Sequence, residues 1–221
     1  MEGIDLIMKY FPQLSEVAAG QFALMGELYP EWNEKINVIS RRDIDNLYVN
    51  HVLHSLSIAA FWGDLVDGTT VMDLGCGGGF PGLPLAVMYP GVHFMLIDRV
   101  GKKLKVAADI AERIGVANVT FMHGDSGECH DKFDYVVSRA VMPLNDLVRA
   151  ALRNVSVGRR PGNRYDNGII CLKGGDLTLE SVGIPCPIVE YGLPEFLPHP
   201  AYDTKKLIYI PVVATNRRHK R

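Results

Sequence analysis

The chain has 221 residues, 48% of them hydrophobic, and a formal net charge of −2 from 23 Lys and Arg against 25 Asp and Glu. That is enough apolar material for one large domain, or a domain with an appendage, and the longest apolar runs are strand-sized, so no membrane span is expected. The start, Met1-Glu-Gly-Ile-Asp5, is acidic and lacks the basic and apolar regions of a secretory signal, so a cytoplasmic location is expected. Cys76, Cys129, Cys171 and Cys186 show no CxxC spacing, which argues for reduced thiols rather than a zinc site or a disulfide framework. The small net charge hides an asymmetry: residues 1–67 carry 10 acidic and 4 basic side chains, residues 68–221 carry 15 and 19. Basic clusters occur at Arg99/Lys102/Lys103/Lys105, Arg159/Arg160/Arg164 and Lys205/Lys206, and the chain ends Asn216-Arg-Arg-His-Lys-Arg221. Each alone reads as a solvated surface; several on one half of the chain point toward a polyanion partner.

In chain order, the first 63 residues read as a helical segment packed on the core. Leu14, Ala18, Phe22, Met25, Tyr29 and Trp32 recur at helical spacing behind Ser15 as N-cap, and Pro30 is expected to break the pattern. After a loop at Asn37–Arg42, a second helical stretch runs from about Asp43 to Trp62. Short β-rich runs follow at Thr69–Leu74, Val92–Ile97, Asn118–Met122, Phe133–Ser138 and Gly168–Leu172. Helical segments lie between them, the clearest at Gly101–Ile114, with Leu104, Ala107, Ala108, Ala111 and Ile114 on one face. Runs this apolar, alternating with helices, predict a mostly parallel sheet covered on both faces. Val157–Gly168, rich in Gly, Pro and Asn, reads as an exposed, mobile loop. Ile188–Tyr191 and Leu207–Val213 suit a hairpin added at the sheet edge, for seven strands in all.

The sequence Val71-Met-Asp-Leu-Gly-Cys-Gly-Gly-Gly-Phe-Pro-Gly-Leu-Pro84 carries the most chemistry. An apolar approach ends in Asp73, and five glycines follow within nine residues, as a backbone needs when it turns sharply against a ligand. The next apolar run ends in Asp98, where a carboxylate can hold ribose hydroxyls. Gly77–Gly82 formally satisfies GxGxxG, so a dinucleotide and a merely structural turn are both open. Asp73, however, would face a pyrophosphate, whereas a carboxylate suits a cationic ligand. Pro81 and Pro84 also disturb the helix packing that the third glycine usually permits. The balance favours S-adenosylmethionine. Asp125 and Ser126, after the third strand, are candidates to receive the adenine amino group, or a turn that caps its own backbone.

The fourth strand ends Val136-Val-Ser-Arg139 without the Asn/Asp-Pro-Pro-aromatic sequence that accepts an amine proton. Cys186, between two prolines, reads as an ordinary small apolar residue and not as a nucleophile. A target needing neither base nor nucleophile is a ring nitrogen with a free lone pair, such as guanine N7, for which catalysis is mostly alignment. Arg139 is then the candidate catalytic residue in an orienting role, able to hydrogen-bond guanine O6 or a phosphate; a structural salt bridge is the other reading, and Lys173 invites the same pair. His51 and His54 lie one helical turn apart with no third ligand in view, so a surface or packing role is expected, and no metal.

These residues together resemble the glucose-inhibited division protein B family, the bacterial 16S ribosomal RNA guanine-N7 methyltransferases. The resemblance is carried by Trp32-Asn33, Asn37–Ser40, His51–Ser55, Asp73–Leu85, Leu96–Asp98, Gly101–Lys103, Ser138–Ala140 and Leu172–Gly174, and covers most of the chain. Pro81 and Pro84, followed in order by Ser-Arg-Ala and Leu-Lys-Gly, are its specific part. It implies a Rossmann-like class I methyltransferase domain over 64–221 and a guanine in the small-subunit decoding region as target. It also implies cofactor contacts at Gly75, Phe80, Asp125, Ser126 and Arg139, with Asp98 at the ribose. Asp73, Gly77 and Gly79 complete the cofactor set. Lys173, Arg217, Arg218, Lys220 and Arg221 are the RNA-binding candidates, and the chain is expected to act as a monomer. The family often has His-x-Leu-Asp-Ser where this chain has His54, and Arg-x-Glu where it reads Gly124-Asp-Ser-Gly127. A small-molecule methyltransferase lidded by the N-terminal helices, and a non-enzymatic ribosome-binding module, are the competing expectations.

Overall fold

The computed structural model describes residues 3–139 and 141–214, so Arg217, Arg218, Lys220 and Arg221 lie outside the described residues. Helix α1 spans Ile4–Tyr10 and α2 Glu16–Lys35. Ser15 caps α2, its hydroxyl accepting from the Ala18 amide at 3.2 Å. The helical spacing turns Phe22, Met25 and Tyr29 fully inward, each contributing about 1.5–3 kcal/mol of burial. Pro30 does not break the helix, contrary to expectation; it sits inside α2. The turn beyond it is held from outside: Trp32 Nε1 donates to Asp109 at 2.7 Å, and Asn33 Oδ1 takes the Val38 and Ile39 amides at 2.9 Å each. Tertiary bonds there offset the one backbone bond a proline removes.

The second helical stretch forms with an irregular start. A 3₁₀ turn at Ile44–Asn46 leads into a π-helix at Leu47–Leu53, then α3 at His54–Trp62. Such wide turns often mark functional sites.

The chain then alternates through β1 (Thr70–Leu74), α4 (Gly82–Met88), β2 (His93–Asp98), α5 (Gly101–Arg113), β3 (Val119–His123), β4 (Tyr135–Arg139), α6 (Leu144–Ala151) and β5 (Gly168–Gly174). It ends in a hairpin of β6 (Val189–Gly192) and β7 (Lys205–Pro211). The seven strands are ordered β3-β2-β1-β4-β5-β7-β6. All neighbours from β3 to β5 pair in parallel, and β7 runs against both β5 and β6. Strand alternation divides the interior in two. Val71, Phe94, Leu96, Tyr135, Val137 and Ile170 face a core shared with the N-terminal helices, α4 and α5. Met72, Ile97, Val136 and Ile169 face a smaller core capped by α6. The chain leaves β1 for β2 and β3, then returns to β4 on the other side. That reversal opens a crevice at the strands' carboxyl ends, the usual ligand site of such sheets.

The segment 157–168 is partly exposed, as its composition suggests, with Val157 63% exposed, but buried polar residues anchor it. Asn163 and Asn167 are buried. Arg160 pairs with Asp134 at 2.7 Å and donates to the Gly68 carbonyl, and Asn163 Oδ1 accepts from the Val66 amide at 3.0 Å. Glycines and prolines shape this loop, and buried polar groups, each requiring a partner, pin it. It closes the amino ends of β1 and β4, the edge away from the crevice.

Candidate functional site

The glycine loop connects β1 to α4. Gly75 adopts φ 75°, and a Cβ there would sit 2.7 Å from Val141 Cγ2. Gly79 adopts φ 103° with no room beside Leu83, 2.5 Å away. Both positions require glycine on conformational and steric grounds together. Gly75→Ala is therefore expected to cost about 1–3 kcal/mol of stability and to weaken cofactor binding by displacing Val141; thermal melts and calorimetric titration check both. The loop is fixed from three sides. Asp98 takes the Gly77 amide on one carboxylate oxygen and the Val100 amide on the other, each at 2.7 Å. Asp73 takes the Gly82 amide at 2.7 Å. Tyr29 of α2 donates to the Gly78 carbonyl at 2.7 Å, and its ring lies 4.7 Å from that of Phe80. The N-terminal helices thus shape the site directly.

Between the tips of β1, β2 and β3 lies a cavity of about 360 Å³ lined by Gly75, Asp98, Val100, Asp125, Ser126 and Val141. Four of the sequence-derived cofactor residues meet here. Asp125 pairs with Arg99 across the rim and accepts the Gly127 amide at 2.8 Å, while the buried Ser126 hydroxyl donates to the Ala150 carbonyl at 3.2 Å. Three larger depressions, about 590, 510 and 410 Å³, are lined by residues around Tyr89, Val116 and Tyr48, away from the strand tips. Asp73 is fully buried, and its Oδ1 has no hydrogen-bond partner among the described residues. Burial pushes its carboxyl up to about 7, against the pull of the Gly82 amide and Arg139. A buried carboxylate oxygen with no donor from its own chain is matched to a donor or cation brought by a ligand.

Arg139, at the tip of β4, lies beyond the glycine loop. Its guanidinium donates to the Asn50 carbonyl and to His51 Nδ1, each at 2.9 Å, and lies 5.2 Å from the centre of the Phe80 ring. His51 Nε2 lies 2.7 Å from Asp43 Oδ2, and Asp43 also accepts from the Asn50 side chain. Burial, then Arg139, holds His51 down to about 4, so the ring is neutral. His54 is buried against Tyr202, ring centres 5.7 Å apart, as a packing residue would be. The involvement of His51 and Asp43 was not foreseen; the pairing spans eight residues through the π-helix, and the helical pattern holds no sign of it.

A family model described as rRNA small subunit methyltransferase G matches residues 21–160. The chain is 50% identical over 209 residues to Ribosomal RNA small subunit methyltransferase G of Phocaeicola vulgatus, covering 95% of this chain and 99% of that one. It belongs to this family. A protein of the same name from Porphyromonas gingivalis is 47% identical over 210 residues, 95% of this chain and 94% of that one. Among solved structures, a mutant of MtNAS in complex with S-adenosylmethionine aligns with TM-score 0.54 and 15% identity over 86% of this chain and 75% of that one. TrmN from Thermus thermophilus aligns with TM-score 0.52 and 16% identity, covering 72% and 47%. At these identities the likeness establishes the fold alone, the Rossmann-like class I methyltransferase architecture. As a member of this family the chain is an S-adenosylmethionine-dependent methyltransferase, which removes the dinucleotide reading of the glycine loop. The cofactor fits the residues present: a Cβ-free cradle at Gly75, the cavity between Asp98 and Asp125, and the unpartnered Asp73 oxygen.

The remaining candidates are placed less simply. Asp73, Gly77, Gly79, Phe80 and Arg139 stand in or against the glycine loop rather than in the cavity wall. Lys173 at the end of β5 pairs with Glu180 at 2.8 Å and donates to the Met142 carbonyl, which uses two of its three N–H groups to brace the segment over the cavity. Of the basic clusters, Arg99, Arg159, Arg160 and Lys206 are engaged in ion pairs with Asp125, Asp166, Asp134 and Glu190. Among the described residues no group of three His, Cys, Asp or Glu could hold a metal ion, and no helix is long and apolar enough to cross a membrane.

Proposed function

We propose that the protein methylates N7 of a guanine in 16S ribosomal RNA of the small subunit, acting as a cytoplasmic monomer. The observation that carries this reading is the chemistry around Arg139. His51, which Arg139 touches, is neutral with both nitrogens engaged, and the Cys76 thiol of the glycine loop is buried and pushed well above its ordinary value. Neither is free to deprotonate an amine or attack a ring carbon. Guanine N7 asks for neither, because its lone pair is already exposed.

Bound S-adenosylmethionine supplies an electrophilic methyl on a sulfonium. The protein's part is to hold the reacting groups in line. Asp98 is placed for the ribose hydroxyls, Asp125 and Ser126 for the adenine edge, and Asp73 for the cationic portion. Arg139 donates to guanine O6, which fixes the ring and leaves the N7 lone pair free. Transfer to N7 would leave the positive charge on the base and no proton to remove, so no residue of the site would have to act as a base. Alignment of this kind is worth several orders of magnitude in rate. Arg41, Arg42 and Lys102 are exposed cations that we assign to RNA phosphates, which add salt-dependent affinity. The tail residues Arg217, Arg218, Lys220 and Arg221 are assigned to the RNA backbone, whereas Lys173, its charge met by Glu180, serves as a brace.

The test is transfer from labelled S-adenosylmethionine to undermethylated small subunits, followed by mapping of the modified nucleotide. Label on a guanine N7 of the small-subunit RNA is the expected result. Label on protein or metabolites and none on RNA refutes the reading.

A further inference from the structure

We propose that Asp43 and His51 are positioning residues for methyl transfer, clamping the Arg139 guanidinium in one plane through a His51 ring fixed in a single tautomer. This rests on the reading of Arg139 as the residue that orients the target base. Arginine carries a long, rotamer-rich side chain, and an unrestrained one at a strand tip would sweep many positions. Here three contacts define the guanidinium plane: Nη1 to the Asn50 carbonyl, Nη2 to His51 Nδ1, and the face toward Phe80. Among the described residues two of its five N–H groups are used, which leaves three for a target.

The imidazole is the hinge of the arrangement. Arginine has no acceptor, so His51 Nδ1 must accept, and the ring proton therefore resides on Nε2. That proton is donated to Asp43 Oδ2 at 2.7 Å. Asp43 is anchored in turn by the Asn50 side chain, one residue from the histidine it orients. Burial of Asp43 opposes its ionisation, and the hydrogen bonds from Asn50 and His51 overcome this, holding its carboxyl below the ordinary value. The π-helix explains why Asn50 and His51 both reach Arg139. The His54 amide turns to the His51 carbonyl instead of to Asn50, so the Asn50 carbonyl is not taken by its α-helical partner. The carboxylate–imidazole–guanidinium chain follows the logic by which an outer partner fixes the tautomer of a working histidine. Here the group so fixed is an arginine.

Two substitutions separate the halves of the clamp. In His51→Asn the side-chain oxygen takes the place of Nδ1, keeping the acceptor for Arg139 and losing the link to Asp43. In His51→Gln the amide nitrogen takes the place of Nε2, keeping the link to Asp43 and losing the acceptor. Methyl transfer to small subunits, cofactor affinity by calorimetry and thermal melts are measured for both, for His51→Ala and for wild type. His51→Ala is expected to lose roughly a hundredfold in kcat, as a misplaced orienting group does, with cofactor affinity unchanged. His51→Asn is expected to recover part of that loss, the remainder being the share that Asp43 contributes by holding the ring, and His51→Gln little of it. Equal losses in Asn and Gln variants, or a loss confined to melting temperature or cofactor affinity, overturn the clamp. If His51→Ala does not fold, the Asn and Gln pair decides. Wild-type protein that labels no RNA overturns the underlying functional reading, whereas active wild type beside an equally active His51→Ala overturns the clamp alone.

Discussion

Arg139→Ala is expected to lower methyl transfer to small-subunit RNA by roughly a hundredfold or more per folded molecule, while the protein still folds. The guanidinium stands at the carboxyl end of β4, where sheet architecture places ligand contacts, and its three N–H groups with no partner among the described residues are assigned to the base. Its removal has a structural cost too. The Asn50 carbonyl and His51 Nδ1 lose their donor, and a buried acceptor left unpaired costs about 1–3 kcal/mol. For a chain of this length each kcal/mol lowers the melting temperature by about 2–4 °C. A fall of several degrees is thus expected, with a cooperative transition retained. Arg139→Lys separates the two effects. An ammonium can replace one hydrogen bond and the positive charge, but it has no planar fork with which to meet Asn50, His51 and the base together. Lysine should therefore restore melting temperature more than activity. The measurements are label transfer normalised to folded protein and a thermal melt; a large loss of stability with full activity per folded molecule refutes the assignment.

What the sequence made legible follows from which forces act locally. The central strands β1, β4 and β5 were readable because each is a short apolar run bounded by turn residues, and burial on both faces demands that composition. The cofactor cradle was readable for a similar reason. Gly75 and Gly79 occupy backbone conformations and spaces that admit no other residue, so the requirement is written in the residue type. Ser15 and the inward face of α2 belong to the same class. Pro30 was misleading because the bonds that carry α2 past it come from Asp109, Val38 and Ile39, distant or irregular partners that no local pattern records. The loop at 157–168 was legible only in part: its composition is that of a surface loop, but its anchors are Val66, Gly68 and Asp134, far away in sequence. The Asp43–His51–Arg139 chain depends on a π-helix, whose register shift leaves the hydrophobic periodicity nearly intact. Lys173 could be seen as a cation at a strand tip, but not as one whose charge Glu180 already satisfies.

Asp73→Asn is expected to weaken S-adenosylmethionine binding and, at the same time, to stabilise the cofactor-free protein at neutral and higher pH. The two effects share one cause. Asp73 is fully buried, with one oxygen on the Gly82 amide and the other without a partner among the described residues, and burial raises its carboxyl from 3.8 to about 7. In the unfolded chain the group ionises near its ordinary value. Between about pH 4 and 7 the folded state therefore holds a proton that the unfolded state has released. By linkage, the stabilisation this provides is fully present below the lower value and is lost as pH rises through the upper one. Above pH 7 the folded, cofactor-free protein carries a buried charge with an unsatisfied oxygen. Asparagine keeps an acceptor for Gly82 and removes that charge, so its melting temperature should exceed that of wild type by on the order of 5 °C at pH 8 and match it near pH 4. Cofactor binding has the opposite sign. A cationic ligand needs the carboxylate ionised, so wild-type affinity should rise with pH up to about 7 and then level, by at most about tenfold per pH unit. The asparagine variant should bind weakly with no such rise, because its amide points N–H groups where the ligand brings its own donors. Calorimetric titrations from pH 6 to 8.5, paired with melts of the cofactor-free proteins, measure both arms. Equal affinity of variant and wild type at pH 8 removes Asp73 from the cofactor site, whereas a variant less stable than wild type at pH 8 places the loss in the Gly82 bond and not in the buried charge.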